Sequence, residues 1–196
     1  MRQIILSLLL SVLTVCGLAS RASGADLVPL APNQVGLTTQ KSPSLCWVQR
    51  QRIAGSDVMF TLKDSLAVKA TLEVELPSSI LADSDSCHCV HLKDYEIELE
   101  PNIQYHWFIS FTQITGLHTQ TVVAGGVIER CDDECMFLEG QSQCDLEASL
   151  RSAHAGAWYD SISCLCKLIE ADPHNQELRR LLDRLLKDAG IILVGS

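Results

Sequence analysis

Two kinds of hydrophobic periodicity follow one another along the chain. Between residues 45 and 130, apolar and polar positions alternate, as where Val58, Phe60 and Leu62 flank Met59 and Thr61. This period places one face of a β-strand in a core and the other in water. Strands are predicted at 45–50, 58–63, 68–76, 95–100, 105–114 and 119–130. Six or seven short strands with no helix between them indicate antiparallel pairing, in an immunoglobulin- or fibronectin-like β-sandwich over residues 23–130.

After Cys131 the apolar spacing becomes helical. Residues 131–143 are acidic and polar and are predicted to form a cysteine-containing linker. Beyond them, helices are predicted at 146–155 and 158–170, and a third carries an apolar stripe of Leu178, Leu181, Leu182, Leu185, Leu186 and Ala189. The expected fold class is therefore α+β, a sandwich followed by a helical block of about three helices over residues 144–196.

The helical block resembles half of a tetratricopeptide repeat. The resemblance rests on a glycine–aromatic–small-residue pattern that ends in Asp-Pro, formed by Gly156, Trp158, Ser161, Ile162, Leu165, Leu168, Asp172 and Pro173. Only one copy is present, and stacked repeats need about three for independent stability. We therefore expect the helices to pack on the sandwich, with the Leu178–Ala189 stripe against the helix of Trp158.

The N-terminus has the pattern of a secretory signal peptide. A basic start with Arg2 precedes an apolar run at 4–15 and small residues at 17–24. We predict a signal peptide over 1–22, with the mature N-terminus between residues 20 and 26. A membrane anchor is the alternative, but the apolar run falls short of the ~20 residues that a span needs. Lipoprotein anchoring through Cys16 is disfavoured because Val15 is bulky for such a site.

Charge narrows the possible partners. The chain has 15 Lys and Arg against 24 Asp and Glu, a net charge of −9. Removal of residues 1–22 takes Arg2 and Arg21 away, which leaves 13 against 24, or −11. Negative charge repels phosphate backbones and anionic lipid, so neither nucleic acid nor a membrane surface is an expected partner.

Eight cysteines remain in the predicted mature chain, and an even number in an exported protein indicates disulfides. They are Cys46, Cys87, Cys89, Cys131, Cys135, Cys144, Cys164 and Cys166. Eight cysteines allow 105 complete pairings, and spacing leaves most of them open. Because Cys164 and Cys166 lie about 200° apart on a helix, they cannot easily share a partner. We predict at least one bridge from Cys131, Cys135 or Cys144 to Cys164 or Cys166.

The mature chain as a whole resembles a bacterial exported family, domain of unknown function 928. Three stretches in this order carry the resemblance: Gly36-Leu37-Thr38 followed by residues 43–48, then Tyr105-His106-Trp107 with Gly126–Arg130, then residues 155–161. Cys46 and Ser161 depart slightly from the family's usual aromatic residue and alanine. The resemblance implies an envelope location and no known activity.

One segment has the residue types of a metal site. In an extended Cys87–His91 segment, Cys87, Cys89 and His91 project from one face and offer ligands suited to zinc or copper. Three ligands so close need a fourth from elsewhere to complete a tetrahedron, so separate disulfides with solvated histidines are the alternative. Trp107 and Trp158 lie on the apolar pattern and are expected in the core.

Motifs of enzymes are not found. There is no Cys-x-x-Cys, Gly-x-Ser-x-Gly, His-Glu-x-x-His or phosphate loop, and the acidic linker lacks the spacing of a calcium loop. We expect a non-catalytic exported protein without a cofactor, a binding or scaffold module for another envelope protein. The alternative is an envelope protein that handles a metal or small ligand through Cys87, Cys89 and His91.

Overall fold

The computed structural model describes residues 27–50, 58–81, 86–115, 118–132 and 144–191. The strands are β1 (Leu27–Pro29), β2 (Gly36–Thr38), β3 (Ser44–Gln49), β4 (Val58–Asp64), β5 (Leu72–Leu76), β6 (Cys87–His91), β7 (Gln104–Thr115) and β8 (His118–Arg130). The helices are α1 (Leu146–His154), α2 (Trp158–Ala171) and α3 (Gln176–Asp188). The predicted leader and most of the predicted linker, with Cys135, lie outside the described residues.

The strands form two sheets. A three-stranded antiparallel sheet has the order β1-β3-β6, and a five-stranded sheet has the order β2-β8-β7-β4-β5. Pairing is antiparallel except that β2 lies parallel to β8, which corrects the expectation of antiparallel pairing throughout. No hairpin joins β2 to β8, since β2 is followed in sequence by a strand of the other sheet, so its direction is not fixed by a tight turn.

β3 is covered on both faces, and all six of its residues are buried. Leu45 and Trp47 belong to a cluster that also contains Phe60, Trp107 and other buried residues of the five-stranded sheet. Cys46 and Val48 belong to a second cluster, which is completed by Ile162, Leu165, Cys166, Ile169, Leu178, Leu182 and Leu186 of the helices. The three-stranded sheet therefore lies between the other sheet and the helical layer.

The three helices begin and end close to the predicted positions. The Asp145 carboxylate accepts a hydrogen bond from the Ala148 amide at 2.7 Å and caps α1, and Asn175 caps α3 in the same way. Gly156, at φ +80°, follows α1 in the left-handed conformation that glycine adopts readily. α2 packs on β3, and the apolar stripe of α3 packs on α2 and joins the same cluster, as the sequence predicted.

The prediction of a strand at 95–100 is wrong. Residues 92–95 form a short 3₁₀ helix, and Glu96 at φ 56° turns the chain out of an extended path. Leu99 is nevertheless buried, and its amide donates to the Lys41 carbonyl at 2.8 Å. The alternating pattern thus arose from an irregular segment that inserts side chains into the core. The strand predicted at 68–76 begins only at Leu72, and Val68 is 95% exposed.

Candidate functional site: a sheet–helix junction and a cysteine cluster

Asp160, in the first turn of α2, joins the helix to β2. One carboxylate oxygen accepts a hydrogen bond from Thr38 Oγ1 at 2.5 Å, and the other accepts from Thr39 N at 2.9 Å and Thr39 Oγ1 at 2.6 Å. Hydrogen bonds to a charged group are among the stronger ones in proteins. The carboxylate therefore fixes the start of α2 against the edge of the five-stranded sheet.

Tyr159 inserts from α2 into the core between the sheets. Its hydroxyl accepts a hydrogen bond from Trp107 Nε1 at 2.9 Å and donates one to the Val127 carbonyl at 3.1 Å. Burial raises the pKa of the Tyr159 hydroxyl well above its usual value, although the hydrogen bond from Trp107 opposes this effect. Tyr159 is therefore neutral at physiological pH and acts as a structural link.

Two glycines make room for Tyr159. A Cβ atom at Gly36 would lie 2.6 Å from Tyr159 Cε2, and one at Gly126 would lie 2.3 Å from the Ala31 Cβ atom and 3.1 Å from the Tyr159 hydroxyl. Carbon atoms do not approach so closely without displacement. Gly36 therefore needs glycine because of the Tyr159 ring, and Gly126 needs it mainly because of the Ala31 methyl group, with the Tyr159 hydroxyl close by.

Trp158 completes the junction from the other side. Its Nε1 donates to the Leu30 carbonyl at 2.9 Å, and its ring is half-buried between the two hydrophobic clusters. Trp107 is fully buried as predicted, whereas Trp158 is partly exposed. The three stretches that carried the family resemblance thus meet at one place, where their polar groups bind one another and join the sheets to α2.

A second group of chemically active side chains lies where β3, β6 and α2 meet. Cys46 and Cys89 are direct cross-strand partners, with sulfur atoms 2.03 Å apart, and form a disulfide. The Cys166 sulfur of α2 lies within 4.8 Å of both of these sulfur atoms. A buried thiol is therefore placed against a disulfide.

Cys87 lies beside this group. Interaction with the Cys87 thiol raises the pKa of Cys166, and burial and the Glu170 carboxylate act in the same direction, so that Cys166 is held protonated. Cys87, Cys89, His88, His91 and Cys166 line a cavity of about 200 Å³, whose rim includes Lys167 and Glu170. Three of its lining residues are the predicted metal ligands Cys87, Cys89 and His91.

The structure gives these three residues different environments. Cys89 is in the disulfide, and His91 Nδ1 is hydrogen-bonded to Ser44 Oγ at 2.7 Å. On the same strand, the centroid of the His88 ring lies 5.9 Å from the centroid of the Trp47 ring. Within the described residues, the sulfurs close enough to share an ion are those of Cys46, Cys89 and Cys166. The structure therefore groups cysteines of three elements rather than one strand.

The predicted bridge between linker and helix is present. Cys144 and Cys164 have their sulfurs 2.13 Å apart and close a separation of 20 residues. Cys131 lies at the end of β8, and its Sγ contacts the Thr38 carbonyl at 3.3 Å. Cys164 and Cys166 face different partners, as their angular separation on the helix required.

The chain was compared with protein families, with curated proteins and with solved structures. It matches the model of the family described as Domain of Unknown Function (DUF928) over residues 17–194. The chain belongs to this family. No curated protein and no solved structure matches this DUF928 chain.

The outer face of the five-stranded sheet presents apolar side chains to solvent. Phe108 on β7 is 39% exposed and Val123 on β8 is 58% exposed. The register places Thr61 opposite Phe108, and Met59 opposite Ser110, which itself faces Val123. These residues, 59, 61, 108 and 123, are called the outer patch below. Among the helices described for this DUF928 protein, none is long and apolar enough to cross a membrane.

Sequence reasoning missed the parts played by Tyr159 and Asp160, and it listed Cys46 as a disulfide candidate without predicting its partner or its burial under the helices. Tyr159 and Asp160 lay in a helix that was predicted correctly, but their partners are more than 30 residues away in sequence. For Cys46, a signal was available: it lies on a strand together with Trp47 and Val48, in a run that is apolar at every position. Such a run predicts burial of both faces, and hence a second layer over the cysteine.

Proposed function

We propose that this DUF928 protein is a non-catalytic, exported binding module of the cell envelope, located in the periplasm or secreted. The signal pattern at 1–22 supports export, and the two disulfides are typical of an oxidising compartment. The polar side chains of the family stretches bind one another at the junction. The hydrogen-bonding capacity of these side chains is therefore used to hold the sheets and α2 together.

The observation that carries the proposal is the outer patch. The exposed Phe108 and Val123 side chains lie at diagonal positions on the neighbouring strands β7 and β8, in a sheet whose opposite face is the core. Contiguous exposed apolar side chains rimmed by polar ones mark interaction surfaces. An open sheet face suits a protein surface better than a small molecule, which requires a concave site.

Charge specifies the partner further. The two rows of the outer patch continue onto the edge strand β5 as Glu73, opposite Thr61, and Glu75, opposite Met59. Both glutamates are exposed, and the whole chain is acidic. The expected partner surface has an apolar centre and a basic rim on the side that meets β5.

In this proposal the sandwich is immunoglobulin- or fibronectin-like and the C-terminal block is a tetratricopeptide-like unit. Small residues at the contact of α1 and α2 support the second point, since the Ser149 hydroxyl donates to the Ser161 carbonyl at 3.0 Å in a buried contact. α3 turns an exposed charged face outward, with Asp183, Arg184 and Lys187. In this proposal, the charged face of α3 would orient the protein relative to its partner.

Photo-crosslinking in intact cells tests the proposal. A photoreactive amino acid at position 108 or 123 should give discrete adducts with an envelope protein, and the same residue at Lys187 serves as the control. Glu73→Lys with Glu75→Lys should weaken the adduct formed from position 123. Adducts from position 187 but not from 108 or 123 would contradict a site on the outer patch.

A second candidate function is the handling of a metal or small ligand. It is favoured by the grouping of cysteine sulfurs around the cavity that Cys87, Cys89 and His91 line. Thiolate and imidazole ligands suit zinc or copper. Metal analysis of protein purified from an oxidising compartment separates the two functions: near-stoichiometric zinc or copper supports the second, and its absence together with fully oxidised thiols supports the first.

A further inference from the structure

Cys87 and Cys166 line the same cavity at the boundary between the three-stranded sheet and the helical layer. Cys87 begins β6, is half-exposed and lines the cavity. Cys166 lies in α2 and is 3% exposed. β6 and α2 pack together, and both cysteines take part in the cluster that joins the layers. One thiol is therefore open to reagents from solvent, and the other is almost completely buried.

The neighbouring sulfurs limit what this pair can do. Cys46 and Cys89 are already joined, although the Cys166 sulfur lies within 4.8 Å of each. Cys144 and Cys164 are joined at the other side of α2. In a compartment where thiols become oxidised, Cys87 and Cys166 are thus the adjacent pair that these two bridges leave within the cluster.

We propose that Cys87 and Cys166 are a disulfide-forming site, at which Cys87 reacts first with a disulfide oxidant and Cys166 resolves the product. The Cys87 thiolate attacks one sulfur of the oxidant RSSR, the S–S bond breaks, and one RSH leaves after taking up a proton. The Cys166 thiol loses its proton and attacks the Cys87 sulfur, and the second RSH leaves. Two protein thiols are oxidised by two electrons, and one RSSR is reduced to two RSH.

The bridge has a structural consequence. It connects β6 to α2 directly, whereas the Cys46–Cys89 bridge lies within one sheet and the Cys144–Cys164 bridge lies within the C-terminal region. Formation of the Cys87–Cys166 bond fixes the helical layer to the sheet covalently. Its reduction leaves that contact to hydrophobic packing and the junction of Tyr159 and Asp160.

Oxidised glutathione serves as the probe for the order of reaction. Full-length mature protein that carries both existing bridges is treated with it, quenched by alkylation at successive times and mapped by non-reducing peptide mass spectrometry. The wild type should give a peptide pair joined by Cys87 and Cys166. Cys166→Ala should accumulate glutathione on Cys87, and Cys87→Ser should leave Cys166 unmodified while folded. The Cys144→Ser/Cys164→Ser variant is the matched control and should still form the bridge.

Several results would overturn the proposal. These are glutathione on Cys166 in the Cys87→Ser protein, a bridge from Cys89 to Cys166, both thiols alkylated after oxidation, or both protected by a bound zinc ion. Circular dichroism of each variant verifies that it is folded. The wild-type peptide map needs no variant, so the proposal can fail even if a variant does not fold.

Discussion

The Tyr159 hydroxyl accepts a hydrogen bond from a buried donor in the core between the two sheets. In Tyr159→Phe, Trp107 Nε1 would lose its partner at 2.9 Å in a fully buried position. An unsatisfied buried polar group costs about 1–3 kcal/mol. We expect the free energy of unfolding in urea to fall by about this amount, and Tyr95→Phe, at a half-buried tyrosine, to change it far less. Equal effects of the two substitutions would contradict a special role for Tyr159.

The raised pKa of the Tyr159 hydroxyl predicts that the free energy of unfolding depends on pH. Burial raises the pKa of Tyr159 in the folded protein, whereas an unfolded tyrosine titrates near pH ~10. The stability that follows from this difference is fully present below that value and is lost as the pH rises above it. Between pH 9 and 11 the wild type should therefore lose about 1.4 kcal/mol more than Tyr159→Phe. Urea unfolding at each pH measures the two slopes, and parallel slopes would refute the prediction.

Gly126 is required by the close approach of Ala31. A methyl group in Gly126→Ala would lie 2.3 Å from the Ala31 Cβ atom. Overpacking of this kind costs about 1–3 kcal/mol. The expected loss in unfolding free energy should be partly restored in the double variant Ala31→Gly/Gly126→Ala, which removes the opposing methyl group. If the double variant is no more stable than Gly126→Ala, the loss does not come from the contact with Ala31.

At the scale of elements, the Cys144–Cys164 bridge stabilises α1 and α2 together. It closes a separation of 20 residues, for which a restricted unfolded chain contributes about 3 kcal/mol. We expect Cys144→Ser/Cys164→Ser to lose about that much under non-reducing conditions. In the presence of reductant, the variant and the wild type should unfold at nearly the same urea concentration. A difference that persists after reduction would show that the cysteines contribute by packing instead.

Asp160 is the polar link between α2 and β2. In Asp160→Asn, an amide nitrogen replaces one carboxylate oxygen, and this nitrogen cannot accept the hydrogen bonds that Thr38 donates to one oxygen and Thr39 to the other. A hydrogen bond to a charged group contributes about 1.5–3 kcal/mol. We expect the free energy of unfolding in urea to fall by an amount in this range. For the control Asp183→Asn, on the exposed face of α3, it should stay within ~0.5 kcal/mol of the wild-type value.

At the scale of the whole molecule, the helices cover the three-stranded sheet. The outward face of β3 carries Cys46 and Val48, which the helices bury, and Tyr159 fills a place in the core between the two sheets. A chain of residues 23–140 would expose the first surface and leave a gap at the second. We expect it to aggregate in size-exclusion chromatography or to unfold at a clearly lower urea concentration. Unfolding at the same midpoint as the full mature chain would contradict this coupling.

The sequence alone determined the elements whose signals are local. The three helices follow from apolar spacing and from stops at Gly156 and Pro173, and the caps that the structure shows at Asp145 and Asn175 also act within a few residues. The strands β4 and β7 follow from alternation because one face is buried and the other is wet. The bridge between linker and helix was predictable because a short separation left few partners for Cys164.

The tertiary structure decided what depends on distant neighbours. The pairing of Cys46 with Cys89, the meeting of Cys87 with Cys166, the parallel direction of β2 and the insertion of Tyr159 beside Trp107 join residues 43 to more than 90 positions apart. No local pattern selects one such contact among the many that a chain can make. These contacts form together, when the burial of both faces of β3 brings the helical layer and the two sheets into contact.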